Sequence, residues 1–154
     1  MHARFSTSAA PGAYKALMAL ETYLASCGLE TNLLHLLKLR ASQINGCAYC
    51  IDMHWKDLRA AGETEQRLYG LDAWRESPYY SARERAALAW AEAVTRISET
   101  HAPDDVFHEL SIQFKEAEIV ALTFALVAIN GWNRLCIGLR VPAGSYEVRQ
   151  AVKA

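Results

Sequence analysis

The chain has 154 residues, 52% of them hydrophobic, and its 16 Lys and Arg against 17 Asp and Glu give a formal net charge of -1. This length suits one domain with a substantial core, and the near-neutral charge excludes the basic excess typical of nucleic-acid-binding proteins. The N-terminus lacks the apolar run of a secretory signal, and the longest apolar run, residues 119–129, is too short to cross a bilayer. We therefore expect a single cytoplasmic domain over residues 1–154 that binds neither nucleic acid nor membrane.

Apolar residues recur at helical spacing in the first half of the chain, without the alternation typical of strands. A first helix is predicted over about residues 12–26. A second begins at Thr31 or Asn32 and ends at the turn-forming pair Asn45-Gly46. A third helix starts directly after this turn and ends at Gly62. This pattern predicts an all-α fold.

The second half continues the helical pattern. After a short helix over residues 64–71, Ser81 and Glu84 form a capping box for a helix that reaches Ile97. A Pro followed by two acidic residues starts the next helix at position 103, and residues 115–134 form the last and most apolar one. From about Gly138 a C-terminal tail is predicted, which docks on the surface or reaches a neighbouring subunit.

Two cysteines and a histidine stand together at the start of the third helix. Cys47 and Cys50 form a CxxC pair, and His54 follows one helical turn later. Cysteines three apart on a helix have Cβ atoms roughly 5–6 Å apart, which is close to disulfide range. A thiolate attacks peroxides and disulfides, and an imidazole can take the proton of the thiol. The cluster therefore predicts thiol redox chemistry.

The order in which the two sulfur atoms react stays open at this level. The free N–H groups at a helix start favour a thiolate at Cys47. His54 lies only one turn beyond Cys50, which favours Cys50 as the thiol that loses its proton. Either order leaves the same Cys47–Cys50 disulfide.

Residues 36–54, which end in Cys-Ala-Tyr-Cys-Ile-Asp-Met-His, closely resemble the core motif of the AhpD-like alkylhydroperoxidase and carboxymuconolactone decarboxylase superfamily. Further likenesses lie at residues 59–64, 84–90 and 129–134. The resemblance implies an all-helical fold assembled as a homotrimer or homohexamer. It also implies that Cys50 is oxidised to a sulfenic acid, that Cys47 resolves it, and that His54 belongs to a proton relay.

Two positions depart from the best-known pattern of that superfamily. It has a glutamate twelve residues before the first cysteine, where this chain has His35, and a histidine before the second cysteine, where this chain has Tyr49. His35 is either a packed histidine or a base and hydrogen-bond partner in place of the glutamate. Tyr49 is a candidate to hold a water molecule or a substrate oxygen.

Other uses of the cysteines are less favoured. A structural zinc site usually takes two ligand pairs, whereas this chain has one CxxC, so we expect no metal and no cofactor beyond the dithiol itself. Cys27 and Cys136 are expected to be small buried apolar residues. Trp132, near the end of the last helix, is expected at a subunit interface.

The function predicted from these observations is that of a thiol-dependent peroxidase or disulfide oxidoreductase. It would reduce an organic hydroperoxide or a partner disulfide through Cys50 and Cys47. An external thiol/disulfide reductant protein would then restore the dithiol. The alternative is a non-enzymatic redox sensor or binding module that the Cys47–Cys50 disulfide switches.

Overall fold

The computed structural model describes residues 2–148, and within this range every regular element is a helix. Two short 3-10 turns occur, one before the first α-helix at Thr7–Ala9 and one between the fourth and fifth α-helices at Leu71–Ala73. The α-helices are α1 (Pro11–Leu24), α2 (Thr31–Asn45), α3 (Ala48–Ala60), α4 (Glu65–Tyr69), α5 (Ala82–Thr95), α6 (Ile97–Thr100), α7 (Asp104–Gln113) and α8 (Glu116–Leu139). The predicted all-α class is confirmed.

Helix α2 lies at the centre of the domain and packs against α3, α5 and α8. It is buried almost from end to end, so its two central cations need partners inside the protein. Lys38 pairs with Glu21 of α1 at 2.5 Å, and Arg40 pairs with Glu92 of α5 at 2.8 Å. These buried ion pairs tie the central helix to its neighbours on two sides.

Helix α8 is long and apolar enough, by length and composition, to cross a membrane. One face of it is buried, and it packs against α1, α2, α3, α5 and α7, as the core helix of a compact domain does. The helix also runs further than its predicted end at residue 134, to Leu139, and it stops where Arg140 takes a left-handed conformation (φ 55°). Gly138 is therefore helical, and the tail begins at Arg140.

The described part of the tail docks on α3. The Tyr146 hydroxyl donates a hydrogen bond to Asp57 Oδ1 at 2.7 Å, and Lys56 Nζ donates to the Tyr146 carbonyl at 3.0 Å. The Gly144 N–H donates to Asp52 Oδ2 at 3.2 Å. Surface docking, one of the two predicted arrangements of the tail, is thus what the structure contains.

The turn between α2 and α3 sets the position of the CxxC pair. Gly46 adopts the left-handed conformation (φ 70°, ψ 32°) that glycine accepts without strain. The Cys47 N–H then donates to the Ser42 carbonyl at 2.9 Å, and Cys47 becomes the residue that precedes the first turn of α3. The prediction that the CxxC opens the third helix is confirmed.

Two predicted helices are interrupted. The capping box of Ser81 and Glu84 is present, but α5 ends at Thr95, and α6 begins after a break at Arg96 (φ -100°, ψ 37°). The short fourth helix ends at Tyr69 and continues as the 3-10 turn. Both breaks arise from the backbone angles of single residues, and the spacing of apolar residues does not define those angles.

Candidate active site

A cavity of about 450 Å³ opens between α1, α2, α3 and α8. Its apolar wall includes Tyr14, Met18, Leu24, Leu34 and Trp132. Its reactive and polar wall includes Cys50, His54, His35, Tyr49, Asp57, Glu21, Lys38 and Cys136. The cavity therefore combines a lipophilic surface with nearly all the candidate residues that the sequence indicated.

The CxxC pair lies at the inner wall of this cavity. Cys47 and Cys50 form a disulfide with their Cα atoms 5.4 Å apart, and each is 1% exposed. Cys50 lines the cavity, while Cys47 lies behind it and is not part of the lining. Cys50 is consequently the sulfur that a molecule entering the cavity meets first.

His35 and His54 form a hydrogen bond across the α2–α3 contact, with their Nδ1 atoms 3.1 Å apart. Asp57, one turn after His54, places Oδ2 3.7 Å from His35 Nδ1. Burial holds the pKa of His54 well below 6.5, the usual value for histidine, and the nearby His35 lowers it further. Burial also lowers the pKa of His35, against the opposing effect of Asp57. Both imidazoles are therefore neutral at pH 7.

One nitrogen of this pair has no partner. His54 is 3% exposed, and its Nε2 is a buried side-chain nitrogen for which the described residues offer no hydrogen bond. An unpaired buried nitrogen costs about 1–3 kcal/mol. His54 Nε2 is therefore available to accept or donate a proton.

Tyr49 and Trp132 complete the wall on the side of α1 and α8. Burial raises the pKa of the half-buried Tyr49, which keeps its hydroxyl protonated and able to donate. Trp132 Nε1 donates to Glu21 Oε1 at 2.9 Å, and its ring meets that of Tyr14 edge-on at 5.6 Å. Trp132 lies in the cavity wall, and its place at a subunit interface stays a prediction.

The sequence analysis missed two functional candidates. Asp57 lies three residues after His54, on the same face of α3, and this spacing was the signal available for it. Cys136 is buried as expected, at 8% exposed, but its sulfur lies within 4.8 Å of both CxxC sulfur atoms. No pattern among neighbouring residues predicts that Cys136 lies close to the CxxC, because Cys136 belongs to α8 and the CxxC stands at the start of α3.

Two groups of metal-type donors arise from this packing, the three cysteines and the set His35, His54 and Asp57. In the disulfide-bonded state two of the three sulfur atoms are bonded to each other. In the second group the hydrogen bond between the two Nδ1 atoms engages both imidazoles. In this state the first group is engaged in the disulfide and the second in a hydrogen bond.

Comparison with known proteins identifies the family. A model of the carboxymuconolactone decarboxylase family matches residues 11–93, more than half of the chain and the whole CxxC segment. The chain belongs to this family. It is also 41% identical over 136 residues to the uncharacterised protein YdfG of Bacillus subtilis (strain 168), which covers 88% of this chain and 92% of that protein. The superfamily indicated by residues 36–54 is confirmed.

Solved structures agree with the family. A protein of unknown function from Agrobacterium tumefaciens, described as a candidate AhpD antioxidant defence protein, superposes with a TM-score of 0.91 at 50% identity. The match covers 94% of this chain and all of that one. The debrominase Bmp8 superposes with a TM-score of 0.81 at 20% identity, over 90% of this chain and 74% of that one. The latter likeness extends to the fold alone.

Proposed function

We propose that this protein is a thiol-dependent oxidoreductase of the AhpD type, which reduces organic hydroperoxides or the disulfide of a partner protein. The observation that carries the proposal is the position of Cys50. It is bonded to Cys47 on one side and faces, on the other, a cavity that also contains His54, His35 and Asp57.

The reaction needs only the dithiol and an external reductant. The Cys50 thiolate attacks the distal oxygen of the hydroperoxide, which forms a sulfenic acid at Cys50 and releases the alcohol. Cys47 then attacks the Cys50 sulfur, which releases water and forms the disulfide. A thiol reductant restores the pair through a mixed disulfide. This cycle requires a reducing compartment, so we infer a cytoplasmic location.

The histidine pair offers a path for the thiol proton. His54 Nε2 accepts the proton from Cys50, and His54 passes its Nδ1 proton to His35 Nδ1, 3.1 Å away. The positive charge then resides on His35, where Asp57 at 3.7 Å stabilises it. In this scheme Asp57 supplies the carboxylate that the superfamily pattern has at the position of His35.

The walls of the cavity favour an organic substrate. A volume of about 450 Å³ is in the range of small-molecule pockets. The aromatic and aliphatic side chains of α1 and α8 can bury an alkyl or aryl group beside Cys50, whereas hydrogen peroxide gains nothing from them. Tyr49 is the candidate to donate a hydrogen bond to the peroxide oxygen.

Turnover of cumene hydroperoxide in the presence of excess dithiothreitol tests the proposal. The wild-type protein is expected to consume many equivalents, and Cys50→Ser none above the uncatalysed rate. Cys27→Ser changes a free cysteine outside the cavity lining and is expected to retain the wild-type rate. Oxidation of one equivalent followed by arrest would contradict the enzymatic role and support the redox-sensor alternative.

A further inference from the structure

Three sulfur atoms meet where α3 packs against α8. The Sγ atoms of Cys47, Cys50 and Cys136 all lie within 4.8 Å of one another, and all three residues are buried. We propose that Cys136 is a second resolving thiol, which forms a disulfide with Cys50 on the cavity side of the site. The peroxide-driven form of this step rests on the proposed function, whereas the sulfur exchange itself does not.

From the cavity, Cys136 is a more accessible partner for Cys50 than Cys47 is. Cys50 and Cys136 both line the cavity, and Cys47 lies behind Cys50. A disulfide requires sulfur atoms about 2 Å apart. Rotation of the two side chains about χ1 moves each sulfur without moving its helix, and this is the movement that the proposed bridge requires.

The protonation of Cys136 suits a thiol that reacts after Cys50 rather than before it. Burial raises the pKa of Cys136, so it remains a thiol at neutral pH. A buried thiol competes poorly for the hydroperoxide itself. Cys50 therefore keeps the first step, and Cys136 reacts only after the Cys50 sulfur has become electrophilic.

The Cys50–Cys136 disulfide can form by two balanced routes. From the sulfenic acid, Cys136–SH and Cys50–SOH give the Cys50–Cys136 disulfide and one water, with the hydroperoxide as the oxidant already consumed. From the Cys47–Cys50 disulfide, the Cys136 thiolate attacks Cys50, and Cys47 leaves as a thiolate that takes up the proton Cys136 lost. The second route involves no net oxidation.

The two bridges have different structural consequences. The Cys47–Cys50 bridge joins residues three apart at one helix start, whereas a Cys50–Cys136 bridge crosslinks α3 to α8 across the cavity wall. Formation of the second bridge therefore closes a long loop of the chain and fixes two helices against each other.

Two variants with matched thiol counts test the proposal. Cys47→Ser/Cys27→Ser retains Cys50 and Cys136, and Cys47→Ser/Cys136→Ala retains Cys50 and Cys27. Each reduced protein receives one equivalent of 4,4′-dithiodipyridine. The first should release two equivalents of thiopyridone and contain a Cys50–Cys136 crosslinked peptide. The second should release one and retain a mixed disulfide.

A single equivalent from the first variant, with circular dichroism that matches the wild type, would overturn the proposal. The oxidised wild-type protein provides a measurement that does not depend on variants. After prolonged incubation with iodoacetamide, sulfur exchange predicts a mixture, in which some molecules are alkylated at Cys136 and others at Cys47. Alkylation of Cys136 without Cys47 would also overturn it.

The outcomes separate this proposal from the proposed function. If the crosslink forms with the disulfide reagent and wild-type protein does not turn over cumene hydroperoxide, the peroxidase function is wrong and Cys136 remains a resolving thiol. If the wild-type protein turns over cumene hydroperoxide and the first variant releases one equivalent of thiopyridone, the peroxidase function stands and Cys136 is not a resolving thiol. With both correct, cumene hydroperoxide produces the same Cys50–Cys136 crosslink.

Discussion

At the scale of single residues, two neutral imidazoles and a carboxylate form one network in the cavity wall beside Cys50. His54 is buried and neutral, and it contacts a second neutral histidine, His35, rather than solvent. Asp57 places its Oδ2 3.7 Å from the Nδ1 atom of His35 that makes this contact. In the proposed mechanism, this arrangement lets a proton leave the thiol without leaving a charge on the buried imidazole of His54.

Removal of the Asp57 carboxylate should slow the reaction. In Asp57→Asn the positive charge on His35 loses its stabilisation, and we expect hydroperoxide turnover and alkylation of Cys50 at pH 7 to fall about tenfold, or about 1.4 kcal/mol. His54→Gln should lower turnover further, by roughly 10²-fold. Rates of iodoacetamide alkylation and cumene hydroperoxide consumption measure both effects. Asp52→Asn, on the same helix but outside the cavity lining, is the control and should retain its rate. Equal losses in the two Asp variants would contradict the role of Asp57.

The buried histidines should also make stability depend on pH. Their pKa values are lowered in the folded state, so below pH 6.5 the unfolded chain binds more protons than the folded one. The free energy of unfolding therefore keeps its full value above pH 6.5. It falls as the pH drops below 6.5, by up to about 1.4 kcal/mol per pH unit for each histidine. Urea unfolding at several pH values measures this slope. His54→Gln should flatten it, and His108→Gln, exposed on α7, should not.

At the scale of helices, an amide network joins α8 to the end of α2, immediately before the CxxC turn. Asn133 is fully buried, and its Nδ2 donates to Ser42 Oγ at 3.0 Å. Its Oδ1 accepts from Asn45 Nδ2 at 2.8 Å. These bonds fix the last turn of α2 and hence the point from which Gly46 directs the chain to Cys47.

Loss of this network should destabilise the domain. Asn133→Ala removes a partner from Ser42 and from Asn45, and we expect it to lower the free energy of unfolding by about 1–3 kcal/mol. Denaturant unfolding of the reduced protein measures the change. Asn32→Ala, exposed on the first turn of α2, should change it by less than about 0.5 kcal/mol. A similarly small change in Asn133→Ala would show that other contacts hold the end of α2.

At the scale of the whole molecule, the outer face of α8 remains apolar. Val120, Phe124 and Val127 follow one another at helical spacing and are 47%, 47% and 54% exposed. A helix that is apolar on both its core face and its outer face favours burial against another surface. We propose that this face contributes to the interface of a homotrimer or homohexamer, the assemblies implied by the sequence resemblance.

A charge on that face should reduce the size of the assembly. Val127→Glu buries a carboxylate in the proposed interface, and we expect it to shift the protein to smaller species at micromolar concentration. Size-exclusion chromatography with light scattering measures the mass. Ser111→Glu adds the same charge at an exposed polar position of α7 and should leave the mass unchanged. A wild-type monomer would contradict an oligomer of any size.

The sequence by itself determined the features that depend on near neighbours in the chain. The capping box of Ser81 and Glu84 and the glycine turn at Gly46 arise from contacts within a few residues, so their residue types are visible in the sequence. The placement of the CxxC at the start of α3 follows from the same local rules. The helix breaks at Arg96 and after Tyr69 escaped prediction because apolar spacing does not define single backbone angles.

Only the tertiary structure decided which groups surround Cys50. His35 faces His54 because α2 packs along α3, and Cys136 reaches the CxxC because the buried face of α8 packs on the same side. Contacts of this kind depend on the rotation of each helix about its axis and on how side chains interlock across the core. The spacing of residues along one helix gives its apolar face, but it does not determine which residues of another helix that face meets. The contact between the two imidazoles and the approach of the third sulfur atom to the CxxC were therefore absent from every local pattern in the chain.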